Sequence, residues 1–288
     1  MLLNWQSHRH LSEFSTFGIG GQIRFFATIT TEEEAIEAFA HIRKTSFPFF
    51  ILGKGSNCLF DDAGFDGVVL LNRMDSISFS ENFVHAGGGA SFSLLGMQTA
   101  RRGWGGLEFA SGIPASVGGA VFMNAGAHAQ ETSTSLAKVV YLERSGRLVE
   151  WEKKDLAFSY RVSPFQKMEG MILSASFELV RRDDARTWQK TLLEQRIRTQ
   201  PLKEKSAGCV FRNPKDSLGA GALIDQCGLK GTCVGGVAVS EIHANFLVNR
   251  RGGTSRDVLD LIAMIQERVY RETGVFLEPE IKIVTPHG

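Results

Sequence analysis

Phe49-Phe50-Ile51-Leu52-Gly53-Lys54-Gly55-Ser56-Asn57-Cys58-Leu59-Phe60 is the stretch that decides how this chain is read. The apolar run Phe49–Leu52 reads as a buried strand. It ends in Gly53-Lys54-Gly55-Ser56-Asn57. Two glycines one residue apart let the backbone turn with φ > 0 and leave no Cβ between chain and ligand. Ser56 and Asn57 add short polar groups, and consecutive backbone N–H groups can form an anion-binding concavity. The spacing is neither a P-loop nor a dinucleotide fingerprint, because position 58 is Cys. A plain tight turn and a phosphate-cradling loop both fit these residues alone.

A second stretch lies some sixty residues on. Ser111-Gly112-Ile113-Pro114-Ala115-Ser116-Val117-Gly118-Gly119-Ala120 runs into Val121-Phe122-Met123-Asn124-Ala125-Gly126-Ala127. Pro114 fixes φ and removes a donor. The small side chains suit a flat ligand laid against the backbone, and equally suit a helix packed closely on a sheet.

Outward from these stretches, the pattern alternates. Ile23–Thr28 is strand-like, and Thr31 with Glu34 forms a capping box. Ile36, Phe39, Ala40 and Arg43 then follow helical spacing and predict one apolar face on a sheet. Gly67–Leu71 is the next strand, which puts the glycine loop at a strand's C-terminal end, where open sheets bind ligands. Phe83–Ala86 runs into Gly87-Gly88-Gly89, Phe92–Arg102 is helical, and Val139–Glu143 with Leu148–Trp151 forms a hairpin. Ile172–Val180 is a strand, and Thr187–Arg198 is a polar helix ended by Gln200-Pro201. The clearest helix opens at Thr254-Ser255-Arg256-Asp257 and closes at Gly274, with Val258, Leu261, Ile262, Ile265 and Val269 on one face.

Composition excludes several classes. The chain has 288 residues, 43% hydrophobic and 22% charged, as in ordinary globular proteins. Its 31 glycines exceed the usual share of roughly 7%, which points to loops that hug something. A net charge of +1 with no basic tract gives no footprint for nucleic acid. The seven histidines and four cysteines show neither H-x-x-x-H nor C-x-x-C, so no metal site is expected. The absence of a long apolar run or an apolar leader, with unpatterned cysteines, leads to an expectation of a cytoplasmic protein with no membrane insertion.

Eight blocks together resemble the UDP-N-acetylenolpyruvoylglucosamine reductase (MurB) family. They are Ser15-Thr16-Phe17-Gly18-Ile19-Gly20-Gly21, the two glycine stretches, Tyr160-Arg161-Val162-Ser163-Pro164-Phe165, and Ala207-Gly208-Cys209-Val210-Phe211-Arg212-Asn213-Pro214. Leu223–Gly231, His243-Ala244-Asn245-Phe246-Leu247-Val248-Asn249 and Leu277-Glu278-Pro279-Glu280-Ile281-Lys282 continue the series in register. The resemblance implies an α+β fold. A two-part FAD-binding region of the p-cresol methylhydroxylase/vanillyl-alcohol oxidase (PCMH) type would precede a C-terminal α+β substrate-binding domain. The expected domains are 1–73, joined by the strand 279–288, then 74–190, then 191–278.

What the resemblance implies for chemistry is specific. NADPH reduces non-covalently bound FAD, and the enolpyruvyl double bond of UDP-N-acetylglucosamine enolpyruvate is then reduced to give UDP-N-acetylmuramate, a peptidoglycan precursor. Arg161 matches the residue that pairs with the substrate's carboxylate and developing enolate, in a fork geometry Lys cannot supply. Cys209 stands where most members carry a serine proton donor; a thiol is the stronger acid, so donation need not be slower. Glu280 matches the catalytic glutamate. Gly53, Lys54, Gly55, Ser56, Asn57, Ser111, Ile113, Pro114, Ser116, Gly118, Gly119, Ala120, Asn124 and Gly126 are the expected cofactor-binding residues. Tyr160, Arg212, Asn213 and His243 are expected at the substrate, with Gln226 and Asn245 behind them and Lys203, Lys205 and Lys230 as further sources of positive charge. Cys58, Cys227 and Cys233 are assigned to packing. Gly18 replaces a residue often charged in the family. No tyrosine lies between Arg161 and the last helix, which points to the shorter subtype lacking the tyrosine loop. A monomer is expected.

Three other readings fit the sequence. The same scaffold serves flavin oxidases acting on alcohols. Cys209, His243 and Asp225 would suit a cysteine hydrolase. A nucleotide-binding module without turnover is the last.

Overall fold

Thr31 accepts the backbone N–H of Glu34, and the Glu34 carboxylate accepts that of Thr31, so the first helix starts where its capping box says. A computed structural model describes residues 3–288, which fold as two compact units. The first comprises residues up to Gln6, Phe25–Lys54 and Val68–Arg196; the second comprises Ser7–Arg24, Gly55–Gly67 and Ile197–Gly288. The chain crosses from one to the other within the glycine loop itself, at Lys54–Gly55.

β1 (Ile23–Ile29), β4 (Phe65–Asn72) and β2 (Phe49–Leu52), which lie mostly in the first unit, form a sheet in the order β1-β4-β2. β2 runs parallel to β4, with Leu52 opposite Leu71. As the edge strand, β2 is half-buried except at Leu52, which corrects its reading as a buried strand. Helix α1 (Glu32–Thr45) buries Ala35, Ala38, Phe39 and Ile42 against Val68 and Leu70. Ile36, expected on that face, is exposed; the true face is rotated by one residue.

A second sheet of the same unit is antiparallel. Its order is β11 (Leu148–Glu152), β10 (Leu136–Glu143), β12 (Gly170–Glu178), β6 (Phe83–Gly87) and β5 (Ile77–Ser80). Helices α2 (Phe92–Arg101) and α3 (Val117–Met123) share its core through Phe92, Leu95, Val117, Ala120 and Val121. The second stretch of small residues is therefore in part a helix packed on a sheet. A Cβ at Gly118 would lie 3.0 Å from the Gly88 carbonyl oxygen, and the Gly118 N–H donates to that oxygen at 2.8 Å. Two two-residue strands, β8 (Gly126–Ala127) and β9 (Gln130–Glu131), form a minimal hairpin. α4 (Thr132–Ser135) follows it directly, and the first unit ends at Arg196, within α5 (Ala185–Thr199).

The second unit is built on helix α7 (Ser255–Thr273), capped by Thr254 and closed by Gly274 in the left-handed region. Its five predicted apolar residues are all buried. They pack with Leu223 and Ile224 of α6 (Ala220–Gln226), with Val237 and Val239 of the strand Val237–Val239, and with Leu247 of the strand Leu247–Asn249. The C-terminal strand Lys282–Val284 runs parallel to β3 (Cys58–Phe60), pairing Lys282 with Cys58. Cys58 is half-buried as a residue, but its thiol is walled in by protein and is pushed up to about 12, consistent with a packing role. Cys227 is buried, but Cys233 is exposed, so its assignment to packing is corrected.

Candidate active site

Gly53 and Ser116 meet inside the first unit. A Cβ on Gly53 would overlap Ser116 Oγ, so the end of β2 and the start of α3 touch without side-chain bulk between them. Ser116 caps α3 by accepting the Gly119 N–H at 3.2 Å. The Val117 and Gly118 N–H groups donate to Ala90 and Gly88. The start of α3 therefore spends its donors within the protein. The glycine loop does not: among the described residues, the backbone N–H groups of Lys54, Gly55, Ser56 and Asn57 donate to no group of the protein. Unspent consecutive N–H groups suit a phosphate oxygen. Ser111 is fully buried and its Oγ has no hydrogen-bond partner. Ile113 is half-buried and Pro114 exposed.

Asn124 is one of the residues expected at the cofactor. It is fully buried at φ 43°, and its amide donates to Glu131 Oε2 and to the Ser159 carbonyl, both at 2.9 Å. Its Oδ1 accepts the Ser133 N–H at 3.0 Å. The side chain is committed to the protein. Arg161 lies nearby, its Nη2 donating to the Gly126 carbonyl at 2.9 Å and its guanidinium 4.8 Å from the centre of the exposed Tyr160 ring.

In the second unit, four of the sequence blocks converge. Gly55 takes φ 60°, and a Cβ there would overlap the Phe14 carbonyl, so only glycine serves. Thr16 Oγ1 donates to the Ser206 carbonyl at 2.7 Å, and the Thr16 N–H donates to the Gly55 carbonyl at 3.2 Å. Asn57 Nδ2 donates to the Glu280 carbonyl at 3.3 Å, and the Lys282 N–H to the Asn57 carbonyl at 2.9 Å. The Glu280 N–H donates to the Val210 carbonyl at 2.7 Å. Cys209, half-buried, bridges to Phe246 on its other side. The opening block, the loop residues Gly55–Asn57, the Cys209 segment and Glu280 are thus tied together by backbone bonds.

The His243 ring lies against that of Phe246, centres 5.0 Å apart and tilted by 59°, and its Nδ1 accepts the Asn245 N–H at 3.2 Å. Burial lowers its pKa first of all, so the ring is neutral near pH 7. With Nδ1 accepting, the proton sits on Nε2 and that edge is a donor. Asn245 is buried and bonds both ways to the Phe211 backbone, at 2.9 and 2.8 Å. Asn213 is exposed and its Oδ1 accepts the Ala220 N–H at the start of α6. Arg212 is half-buried, with a buried Nε that has no partner. Gln226 is exposed. Lys230 pairs with Asp225 at 2.7 Å. Lys203 and Lys205 line a separate groove of about 460 Å³ with Arg250 and Glu204. Gly18, also on that groove at φ 69°, leaves room for the Lys205 side chain. No group of His, Cys, Asp and Glu able to hold a metal occurs among the described residues.

Two family models match the chain. One is the FAD binding domain, over residues 23–151, and the other is the C-terminal domain of UDP-N-acetylenolpyruvoylglucosamine reductase, over residues 200–284. The protein of that name from Protochlamydia amoebophila is 51% identical over 281 residues, covering 97% of this chain and 94% of its own length. The chain belongs to the UDP-N-acetylenolpyruvoylglucosamine reductase family. A second member, from Chlamydia muridarum, is 46% identical over 95% of this chain and 92% of its own. The crystal structure of the Thermus caldophilus reductase superposes with a TM-score of 0.84 at 34% identity, over 98% and 99% of the two chains. As a reductase of this family, the chain is an FAD-dependent oxidoreductase with an FAD-binding region and a C-terminal α+β domain.

Proposed function

We propose that Arg161, Cys209 and Glu280 carry the family's reaction, the NADPH-dependent reduction of UDP-N-acetylglucosamine enolpyruvate to UDP-N-acetylmuramate in peptidoglycan precursor synthesis. FAD, when bound, supplies the hydride taken from NADPH. The unpaired N–H groups of Lys54–Asn57 and the orphan Ser111 hydroxyl fit such a cofactor and would hold its polar groups.

The protein's own residues do the rest. Arg161 stabilises the negative charge that appears as the double bond accepts hydride, which lowers the barrier only if that charge develops in the transition state. Cys209 delivers the proton to the adjacent carbon. Glu280 assists that delivery or orients the substrate. The observation that carries this reading is the 2.7 Å bond from the Glu280 N–H to the Val210 carbonyl, which fixes Glu280 beside the Cys209 segment. His243, with Nε2–H as donor, binds the substrate, together with Arg212, Asn213 and Tyr160. The hydrolase alternative loses its acid: Asp225 is paired with Lys230, and His243 Nδ1 is occupied by a backbone N–H.

No described helix is long and apolar enough to cross a membrane. The proposed setting is the cytoplasm, as a monomer with no nucleic-acid partner. An absorbance spectrum tests the reading. Purified protein should be yellow, bleach on NADPH and regain colour on the enolpyruvyl substrate. A protein that cannot be reconstituted with flavin would reject it.

A further inference from the structure

Eight non-glycine residues among those described take positive φ, and four of them lie in two segments that meet at the Arg161 side chain: Asn124, His128 and Ala129 in one, Arg161 itself in the other. Residues held in sparsely populated backbone regions persist where surrounding contacts over-determine them, often at functional sites. Here the contacts converge on the Arg161 guanidinium. Gly126 and Glu131 face each other across the β8–β9 hairpin, whose two-residue turn, His128-Ala129, has both residues at positive φ. The Gly126 carbonyl accepts from Arg161 Nη2 at 2.9 Å, and Glu131 Oε1 lies 4.0 Å from Nη1. The other carboxylate oxygen, Oε2, accepts from Asn124 Nδ2 at 2.9 Å. Asn124 itself is clamped by the Ser159 carbonyl and the Ser133 N–H.

We infer that Glu131 is a positioning residue for Arg161. Its carboxylate, oriented by the buried Asn124 amide, holds the guanidinium by charge. At 4.0 Å the pair is too long for a hydrogen bond, so Glu131 orients Arg161 without consuming one of its donors. The Arg161 side chain is 16% exposed, so this attraction is weakly screened. Glu131 also offsets part of the guanidinium's charge. That tempers its hold on the substrate carboxylate in the ground state and keeps its orientation for the charge that develops later. This rests on the reading of Arg161 given above.

The test is Glu131→Gln, which keeps size and removes charge, in the FAD-loaded enzyme. A misaimed catalytic group costs roughly 10- to 100-fold, so reoxidation of the reduced enzyme by the enolpyruvyl substrate should slow about tenfold or more. Reduction by NADPH should stay within twofold, and KM for the enolpyruvyl substrate should not rise. Calorimetric affinity of the oxidised enzyme for UDP-N-acetylmuramate should be unchanged or tighter. In an Arg161→Met background, Glu131→Gln should add nothing, since groups acting through one another are not additive. Equal slowing of both half-reactions, an unchanged reoxidation rate, or full additivity with Arg161→Met overturns the positioning role. If Arg161→Met itself leaves reoxidation intact, the reading of Arg161 falls instead. Should Glu131→Gln fail to fold, Glu131→Asp, which withdraws the carboxylate by one methylene, carries the same prediction and the same refutation.

Discussion

Gly53→Ala and Ser116→Ala form a pair whose combined effect reports whether the two glycine stretches touch. The added methyl at Gly53 overlaps Ser116 Oγ and lies 3.3 Å from Ser116 Cβ. Overpacking of this kind costs about 1–3 kcal/mol, so about 2 kcal/mol is expected for Gly53→Ala. Ser116→Ala removes the cap on the Gly119 N–H at 3.2 Å, which costs about 1 kcal/mol. Independent sites would sum to about 3 kcal/mol. With the hydroxyl gone the methyl has room, and the double variant should lose only about 1–1.5 kcal/mol. That is a coupling of nearly 2 kcal/mol in favour of the pair. Urea denaturation followed by tryptophan fluorescence measures it, with midpoints compared at equal slope. Simple additivity would show that the two loops are not in contact and would remove the structural basis for a shared cofactor bed.

Two further outcomes bear on other parts of the site. Ala129→Gly should stabilise the protein by about 1 kcal/mol, because Ala at φ 59° carries strain that glycine does not; a lower melting temperature would contradict the left-handed hairpin turn. His243 has its pKa lowered in the fold by burial, so below about pH 6.5 the unfolded chain binds a proton that the folded protein refuses. Stability should therefore fall as pH drops from that value toward the folded pKa, and rise with pH across the same window. His128, lowered by burial and then by Arg196, acts in the same direction. The difference between wild type and His243→Gln isolates His243: the variant should be less sensitive to acid, and an identical pH profile would show that His243 is not buried neutral.

Much of the fold could be read from local rules. The capping boxes at Thr31 and Thr254, the Gly274 terminus and the five-residue apolar face of α7 depend on neighbours within a turn or two, and all are present. Readings that needed tertiary context went astray. Ile36 matches helical spacing as well as Ala35 does, and only the sheet beneath α1 decides which is buried. β2 looks buried by composition because nothing local marks an edge strand. Asn124 and Asn245 read as polar groups for a ligand, and nothing local shows that their amides satisfy backbone partners 35 and 34 residues away. Nothing in the sequence marks Glu131, because the tip of its hairpin, His128-Ala129, lacks the Asn-Gly or Gly residues that announce such a turn. The convergence of Thr16, Asn57, Cys209 and Glu280 followed from family blocks, yet its cause, a set of backbone bonds joining distant segments, has no sequence signature.

The most direct measurement is stopped-flow flavin absorbance with Cys209→Ala and Cys209→Ser, following the two half-reactions separately. Cys209→Ala should slow reoxidation by the enolpyruvyl substrate by about 10²–10⁴-fold, with NADPH reduction intact, and Cys209→Ser should keep substantial turnover. Equal slowing of both half-reactions by Cys209→Ala, or wild-type reoxidation in its absence, would show that the thiol delivers no proton.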